Sequence, residues 1–277
     1  MQVMNRFLAR ACAVAAAGVA LSTVMVTAAS ASGGGGVPIH HRTLSPAGLA
    51  AGRGRAVWPA SKDHAFGRIT AATTNSRTFA GYQTNVTAGS ATSSAASFTV
   101  PTLSCTATPV GTTPDAGVAA NNSKTASIAG VFTGCEKGKA VYFPWLVVNG
   151  IETNYTSTPL SAGDVINLSA SVTTSGFTAQ VTDVTKNVSV TNTITGAGAS
   201  ANAAWIGYDA WFTSTGTLYG VPNFGKVKFT NCLIDGTALQ SSNPQQFQRV
   251  NAKGIVQIAT GAFSPAPAAF ATYYRHQ

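Results

Sequence analysis

The feature that most restricts this chain is a hydrophobic period of two, repeated in short segments from Thr78 onward. In Val165-Ile166-Asn167-Leu168-Ser169-Ala170-Ser171-Val172, the side chains of Ile166, Leu168, Ala170 and Val172 fall on one face of an extended backbone. Asn167, Ser169 and Ser171 fall on the other. Phe177, Ala179 and Val181 repeat the pattern against Thr178, Gln180 and Thr182, as do Val227 and Phe229 against Lys226 and Lys228. Phe98 and Val100 lead into Pro101, which ends a strand because proline has no amide hydrogen for the ladder. Turn signals separate these runs at Asn149-Gly150, Ala162-Gly163-Asp164, Ser175-Gly176 and Asp235-Gly236. No capped segment of helical period follows residue 78. Many short strands without helices predict an all-β domain, a β-sandwich or a barrel, with Ile166, Leu168, Phe177, Val181 and Phe229 in its core.

The sequence before this domain reads differently. Arg6 and Arg10 precede an apolar run from Ala11 to Ala29, and Ala29-Ser30-Ala31 offers the small residues that signal peptidase prefers. The run approaches the length of a membrane span, but its alanine content and small-residue end point to cleavage. Residues 1–31 are therefore expected to be a signal peptide, and the product to be secreted, extracellular and without a membrane segment. Residues 32–77 open with Gly33 to Gly36 and continue rich in Ala, Gly, Arg and Ser, which predicts a flexible basic leader or propeptide with no core of its own. The β-domain is then residues 78–277, a size suited to one monomeric unit.

Charge excludes one large class of partner. The net charge of +9 suggests nucleic acid until its distribution is considered. Arg42, Arg53, Arg55, Lys62, Arg68 and Arg77 face only Asp63 in the leader, whereas the β-domain is almost neutral. It carries no stripe of Lys and Arg interleaved with aromatics, so neither DNA nor RNA is expected. Charged residues are 9% of the sequence, far below the roughly 25% usual in soluble proteins. Ser, Thr, Asn and Gly cover the surface instead. Three cysteines follow the signal peptide. Export permits disulfides, and Cys105 with Cys135 is the favoured pair because both flank one strand-and-loop unit. Cys232 is left over. No Cys/His spacing suggests a metal, and no cofactor is implied.

Six motifs, in order, resemble the glutamic peptidases, or eqolisins. Thr78-Phe79-Ala80-Gly81-Tyr82 is similar to that family's Asn-Trp-Ala-Gly opening, and Ser97-Phe98-Thr99-Val100-Pro101 to its Phe-Thr-Val-Pro strand end. Tyr142-Phe143-Pro144-Trp145 resembles Tyr-x-Ala-Trp, and Ala162-Gly163-Asp164-Val165-Ile166 resembles Pro-Gly-Asp-x-Ile. Ala204-Trp205-Ile206 resembles Glu-Trp-Ile, and Phe224-Gly225-Lys226-Val227-Lys228-Phe229 resembles Phe-Gly-x-Val-x-Phe. The resemblance implies a two-sheet antiparallel β-sandwich, a jelly roll of the concanavalin A-like kind, with a cleft on one concave sheet. It also implies acid endopeptidase chemistry, in which a Glu carboxylate takes a proton from water and a Gln amide stabilises the oxyanion.

The residues that carry that chemistry are not evident here. The motif's Glu falls on Ala204 and its second acid on Tyr208, while the Gln strand aligns with Ser127-Ile128-Ala129-Gly130-Val131 and puts Ile128 or Ala129 in place of Gln. The acid after the cleft Trp becomes Val147, and the Gly-x-Asp-Gly turn reads Gly117-Val118-Ala119-Ala120. Asp209, between Trp205-Ile206 and Trp211-Phe212, is the fallback acid. Phe79, Tyr142, Trp145, Trp205 and Tyr208 are the candidate groove aromatics. Two functions follow from this reading: an acid endopeptidase that is impaired or inactive, or a non-catalytic module that binds an extracellular polypeptide or polysaccharide in the inherited cleft. A Ser-His or Cys-His nucleophile is a poor fit, because His40, His41, His64 and His276 all lie outside the predicted core.

Overall fold

The computed structural model describes residues 73–276, apart from 86–91, 121–124, 197, 214–215 and 265–267. The segment expected to be a signal peptide, and nearly all of the expected leader, lie outside the described residues. The short strand β1 (Thr74–Ser76) falls inside the segment expected to be leader, yet it pairs in parallel with β14 (Gln245–Val250), so residues before 78 take part in the sheet.

The described residues are built almost wholly into strands. In order they are β2 (Phe79–Asn85), β3 (Ser93–Thr99), β4 (Val110–Ala120), β5 (Thr125–Glu136), β6 (Lys139–Val148) and β7 (Ile151–Asn154). Then come β8 (Val165–Thr173), β9 (Gly176–Asp183), β10 (Val188–Thr195), β11 (Ala201–Ala210), β12 (Lys226–Ile234) and β13 (Thr237–Ala238). A single 3-10 turn (Leu239–Ser242) precedes β14, and β15 (Val256–Thr260) and β16 (Phe270–Tyr274) end the domain. The strand order β10-β9-β8-β3-β12-β16-β15-β14-β2-β11-β4-β5-β6-β7 is one hydrogen-bonded path that folds back on itself as two layers. Strand β12 makes the bend: Lys226–Phe229 pairs with β16, whereas Thr230–Ile234 pairs with β3. A register shift between Thr230 and Leu233, with Asn231 at φ 51°, turns the backbone there.

The layers pack β4, β5 and β6 against β8 and β9. Their shared core holds Ile166, Leu168, Phe177, Val181 and Phe229, all buried as the period-two pattern requires. Strands β8 and β9 show why that pattern is clear. Their outer face is solvated, and where β9 meets β10 it carries Thr178 against Thr193, Gln180 against Thr191 and Thr182 against Ser189, linked by side-chain hydrogen bonds. In the other layer, β4 is buried along its whole length, β5 at every residue except its first and last, and β11 at every residue except Asn202. Those strands are covered on both faces, and no alternation marks which face is which.

Candidate active site

Register across the second layer identifies its outer face. One row runs Phe247, Gly81, Gly207, Asp115, Gly130, Trp145, Asn154 over β14, β2, β11, β4, β5, β6 and β7. The next runs Gln245, Gln83, Trp205, Gly117, Ile128, Val147, Glu152. Glycines in these rows make room for rings. A Cβ on Gly117 would meet Trp205 at 2.2 Å, and one on Gly207 would meet Phe79 at 2.7 Å. Phe79, Ile128, Trp145, Val147, Trp205 and Phe247 form a second apolar cluster on this face, with Trp211 packed against it.

The structure divides the residues singled out from sequence. Phe79, Trp145, Trp205 and Ile128 belong to this outer face. Ala129, Ala204, Tyr142 and Tyr208 belong to the core between the layers. Tyr142 donates its hydroxyl hydrogen to the Pro101 carbonyl at 2.9 Å, and Tyr208 stacks on Phe224 with ring centroids 4.6 Å apart. Tyr142 and Tyr208 are therefore core residues rather than groove aromatics, and Ala204 does not stand across the sheet face from Ile128. The reason is the pleat: residues one apart in a strand point to opposite faces. The β11 positions that share Ile128's face are Ala203, Trp205, Gly207 and Asp209. Cys105 and Cys135 form a disulfide with Cα atoms 5.5 Å apart, and Cys232 is a buried thiol.

Three ionisable groups to which the sequence assigns no role complete the face. Asp115 is, by sequence, one of several scattered carboxylates. Its direct partner on β11 is Gly207, two residues before Asp209, which brings the two carboxyls together on the same side of adjacent strands. Burial pushes the Asp115 carboxyl well above the usual carboxylate range, and the charge of Asp209 and a hydrogen bond with it push further the same way. The Trp205 indole draws it part of the way back. Burial and the neighbouring Asp209 charge thus both favour the protonated form of Asp115. Arg249 on β14 answers that charge. Burial lowers its guanidinium to about 10, Asp209 opposes the shift and Arg77 adds to it. Glu152 at the β7 edge is raised by burial, offset by the Trp145 indole and the Asn154 amide.

The chemistry open to this face follows from those positions. Gln83 and Glu152 share a row, but five strand spacings separate β2 from β7, about 24 Å at ~4.8 Å per strand. They cannot act on one peptide bond. Asp115 and Asp209 offer two buried carboxyls on neighbouring strands, with the Asp115 carboxyl raised by burial and by the charge of Asp209.

A model of the peptidase A4 family matches residues 77–262, well over half of the sequence. The protein belongs to that family. Its layers superimpose on scytalido-glutamic peptidase bound to a peptide-based transition state analogue, with a TM-score of 0.60 at 16% identity, covering 72% of this chain and 98% of that one. A second structure of that peptidase, with a transition state analogue inhibitor, gives 0.58 at 17% identity with the same coverage. SCP-B, an eqolisin in complex with the tripeptide Ala-Ile-His, gives 0.58 at 16% identity, again covering 72% of this chain and 98% of that one. At these identities the superpositions establish the β-sandwich fold. No curated protein matches the sequence. Peptidase A4 membership accounts for the order of the six sequence motifs.

Proposed function

We propose that this protein is an exported member of the peptidase A4 family that does not run the Gln–Glu peptidase reaction and instead engages polypeptide in the inherited cleft. The observation that carries this reading is the composition of the outer face. Among the described residues, Ile128 lies in the row Trp205, Gly117, Ile128, Val147, and Glu152 at one end of that row is about 24 Å along the sheet from Gln83 and farther still from Gln245. An oxyanion forming beside Ile128 would meet a hydrocarbon side chain, and removing one oxyanion donor costs roughly 10²- to 10³-fold in rate. Loss of the general base costs roughly another 10²- to 10⁴-fold, not strictly additively. Polypeptide is favoured over polysaccharide because two of the similar structures hold a peptide-based analogue and a tripeptide.

A second reading rests on one specific feature, the two buried carboxyls of Asp115 and Asp209 on neighbouring strands of the outer face, the first raised by burial and by the charge of the second. One assay separates the two. Mature protein is incubated with denatured protein substrate between about pH 2 and pH 5, where a carboxylate base is matched to the medium. No cleavage is expected from the wild type or from Asp209→Asn. Cleavage that survives purification and disappears in Asp209→Asn would overturn the non-hydrolytic reading and assign the chemistry to the aspartate pair. Export is tested separately, by the N-terminus of protein recovered from culture medium, expected after Ala31.

A further inference from the structure

The orphaned hydrogen-bond donors of Arg249 lead away from the aspartate pair. Arg249 is 1% exposed, yet its Nε and Nη1 atoms have no hydrogen-bond partner among the described residues. Only Nη2 is satisfied, donating to the Tyr219 carbonyl at 2.8 Å. A buried guanidinium with two unused donor atoms is costly, because it has lost water without gaining acceptors. Deprotonation gives no escape, since even at about 10 the group stays charged in ordinary media.

Arg249 lines a pocket of about 180 Å³, together with Arg77, Tyr219, Asn251 and Gln257. Its position follows from the sheet: Arg249 pairs with Ser76 on β1 and with Ile258 on β15, so Arg77 and Gln257 are each one residue from its direct partners. Two cations therefore converge on one small cavity. Asp209 offsets part of that charge through space. Among the described residues, no carboxylate lines the pocket itself.

We propose that this pocket is a binding site for a small oxyanion, namely a carboxylate of the polypeptide ligand. The site rests on the reading of the cleft as polypeptide-binding and supplies its anchor. Guanidinium and carboxylate pair through parallel charge-assisted hydrogen bonds, the strongest class available to neutral-pH side chains. The volume admits a carboxylate and the atoms next to it, and is well below the ~300–1,000 Å³ of pockets that enclose a whole drug-sized ligand. The carboxylate comes either from the C-terminus of the bound polypeptide or from one of its Asp or Glu residues.

The test is calorimetric titration of mature protein, at low salt and near neutral pH, with four probes. These are an N-acetylated hexapeptide of Ala and Ser with a free C-terminus, its C-terminal amide, that amide carrying one internal Glu, and sodium acetate. The free-carboxylate or the Glu peptide is expected to bind about ten-fold or more tightly than the plain amide, the value of one or two charge-assisted bonds. Whichever of the two binds names the source. Arg77→Gln, at an exposed position, should weaken that peptide several-fold and flatten its salt dependence. Equal binding of carboxylate and amide peptides would overturn the anion site and leave the polypeptide reading intact. Acetate binding that Arg77→Gln abolishes, with no peptide bound, would support the pocket and overturn the polypeptide reading. No binding of any carboxylate probe overturns the proposal, and a heat signal unchanged in Arg77→Gln does the same.

Discussion

Asp115 and Asp209 sit buried on the neighbouring strands β4 and β11, Asp209 two residues beyond Asp115's direct partner, and burial together with the charge of Asp209 raises the Asp115 carboxyl well above the usual range. This pair makes neutral pH costly for the fold. Asp115 has a folded-state affinity for protons above that of the unfolded state. Its stabilising contribution is complete below the unfolded carboxylate value of about 3.9, and is lost as pH rises through the higher folded value. Asp115→Asn keeps a donor toward Asp209 and never ionises. It is expected to raise the thermal midpoint at about pH 7 by several degrees, at ~2–4 °C per kcal/mol for a domain of this size, and to leave it unchanged near pH 3. A midpoint gap of the same size at both values would show that the proton is not held.

Asp164 shifts in the opposite direction. Burial raises its carboxyl, but Lys186, whose ammonium lies 2.7 Å away, and the Ser161 amide outweigh burial and bring it below the usual range. Its contribution is present above the unfolded value and is lost as pH falls through the folded one. Lys186 is partly exposed, so solvent screens the pair, and Lys186→Met should cost no more than about 1 kcal/mol. Urea titrations near pH 7 and near pH 2 should show that cost at the first and none at the second.

Gly117 has a steric role on the outer face. An added methyl group would sit 2.2 Å from the Trp205 indole, which is itself buried among Ile128 and Phe79. Gly117→Ala is expected to destabilise by about 1–3 kcal/mol and to shift tryptophan emission to the red as the ring is displaced. An unchanged emission spectrum and stability would mean that the indole is not packed over β4.

The three cysteines among the described residues should separate by reactivity. Burial pushes the Cys232 thiol up to about 12, so a thiol reagent at neutral pH should modify it only as the domain unfolds. Cys105 and Cys135 are 30 residues apart in sequence and bridged. Cys105→Ala with Cys135→Ala should cost about 3–4 kcal/mol by loop-closure entropy. Labelling of native Cys232 within minutes would contradict its burial.

Strand content was legible because β8 and β9 are half-solvated: Asn167, Ser169, Gln180 and Thr182 face water, and their neighbours Leu168 and Val181 do not. Turn residues at Asn149-Gly150 and Asp235-Gly236 marked the breaks, and positive φ at Asn149 and Asp235 is the backbone state those residues tolerate. Local chemistry and a period of two were enough to define an all-β domain, a sandwich or a barrel, and the resemblance carried by the motifs implied the sandwich. The ordered motifs were enough to place it in its family.

The site was decided elsewhere. In β4, β5 and β11 both faces are covered, so Ala204 and Trp205, or Ile128 and Ala129, look alike in sequence although one of each pair belongs to the core between the layers and the other to the outer apolar cluster. A one-residue shift inverts that assignment, and only the register with neighbouring strands settles it. The same holds for Asp115 with Asp209, 94 positions apart by number, and for Arg249 with Arg77. A carboxyl pair and a buried guanidinium acquire their chemistry from what burial and strand pairing place beside them. Composition and spacing carry no record of either.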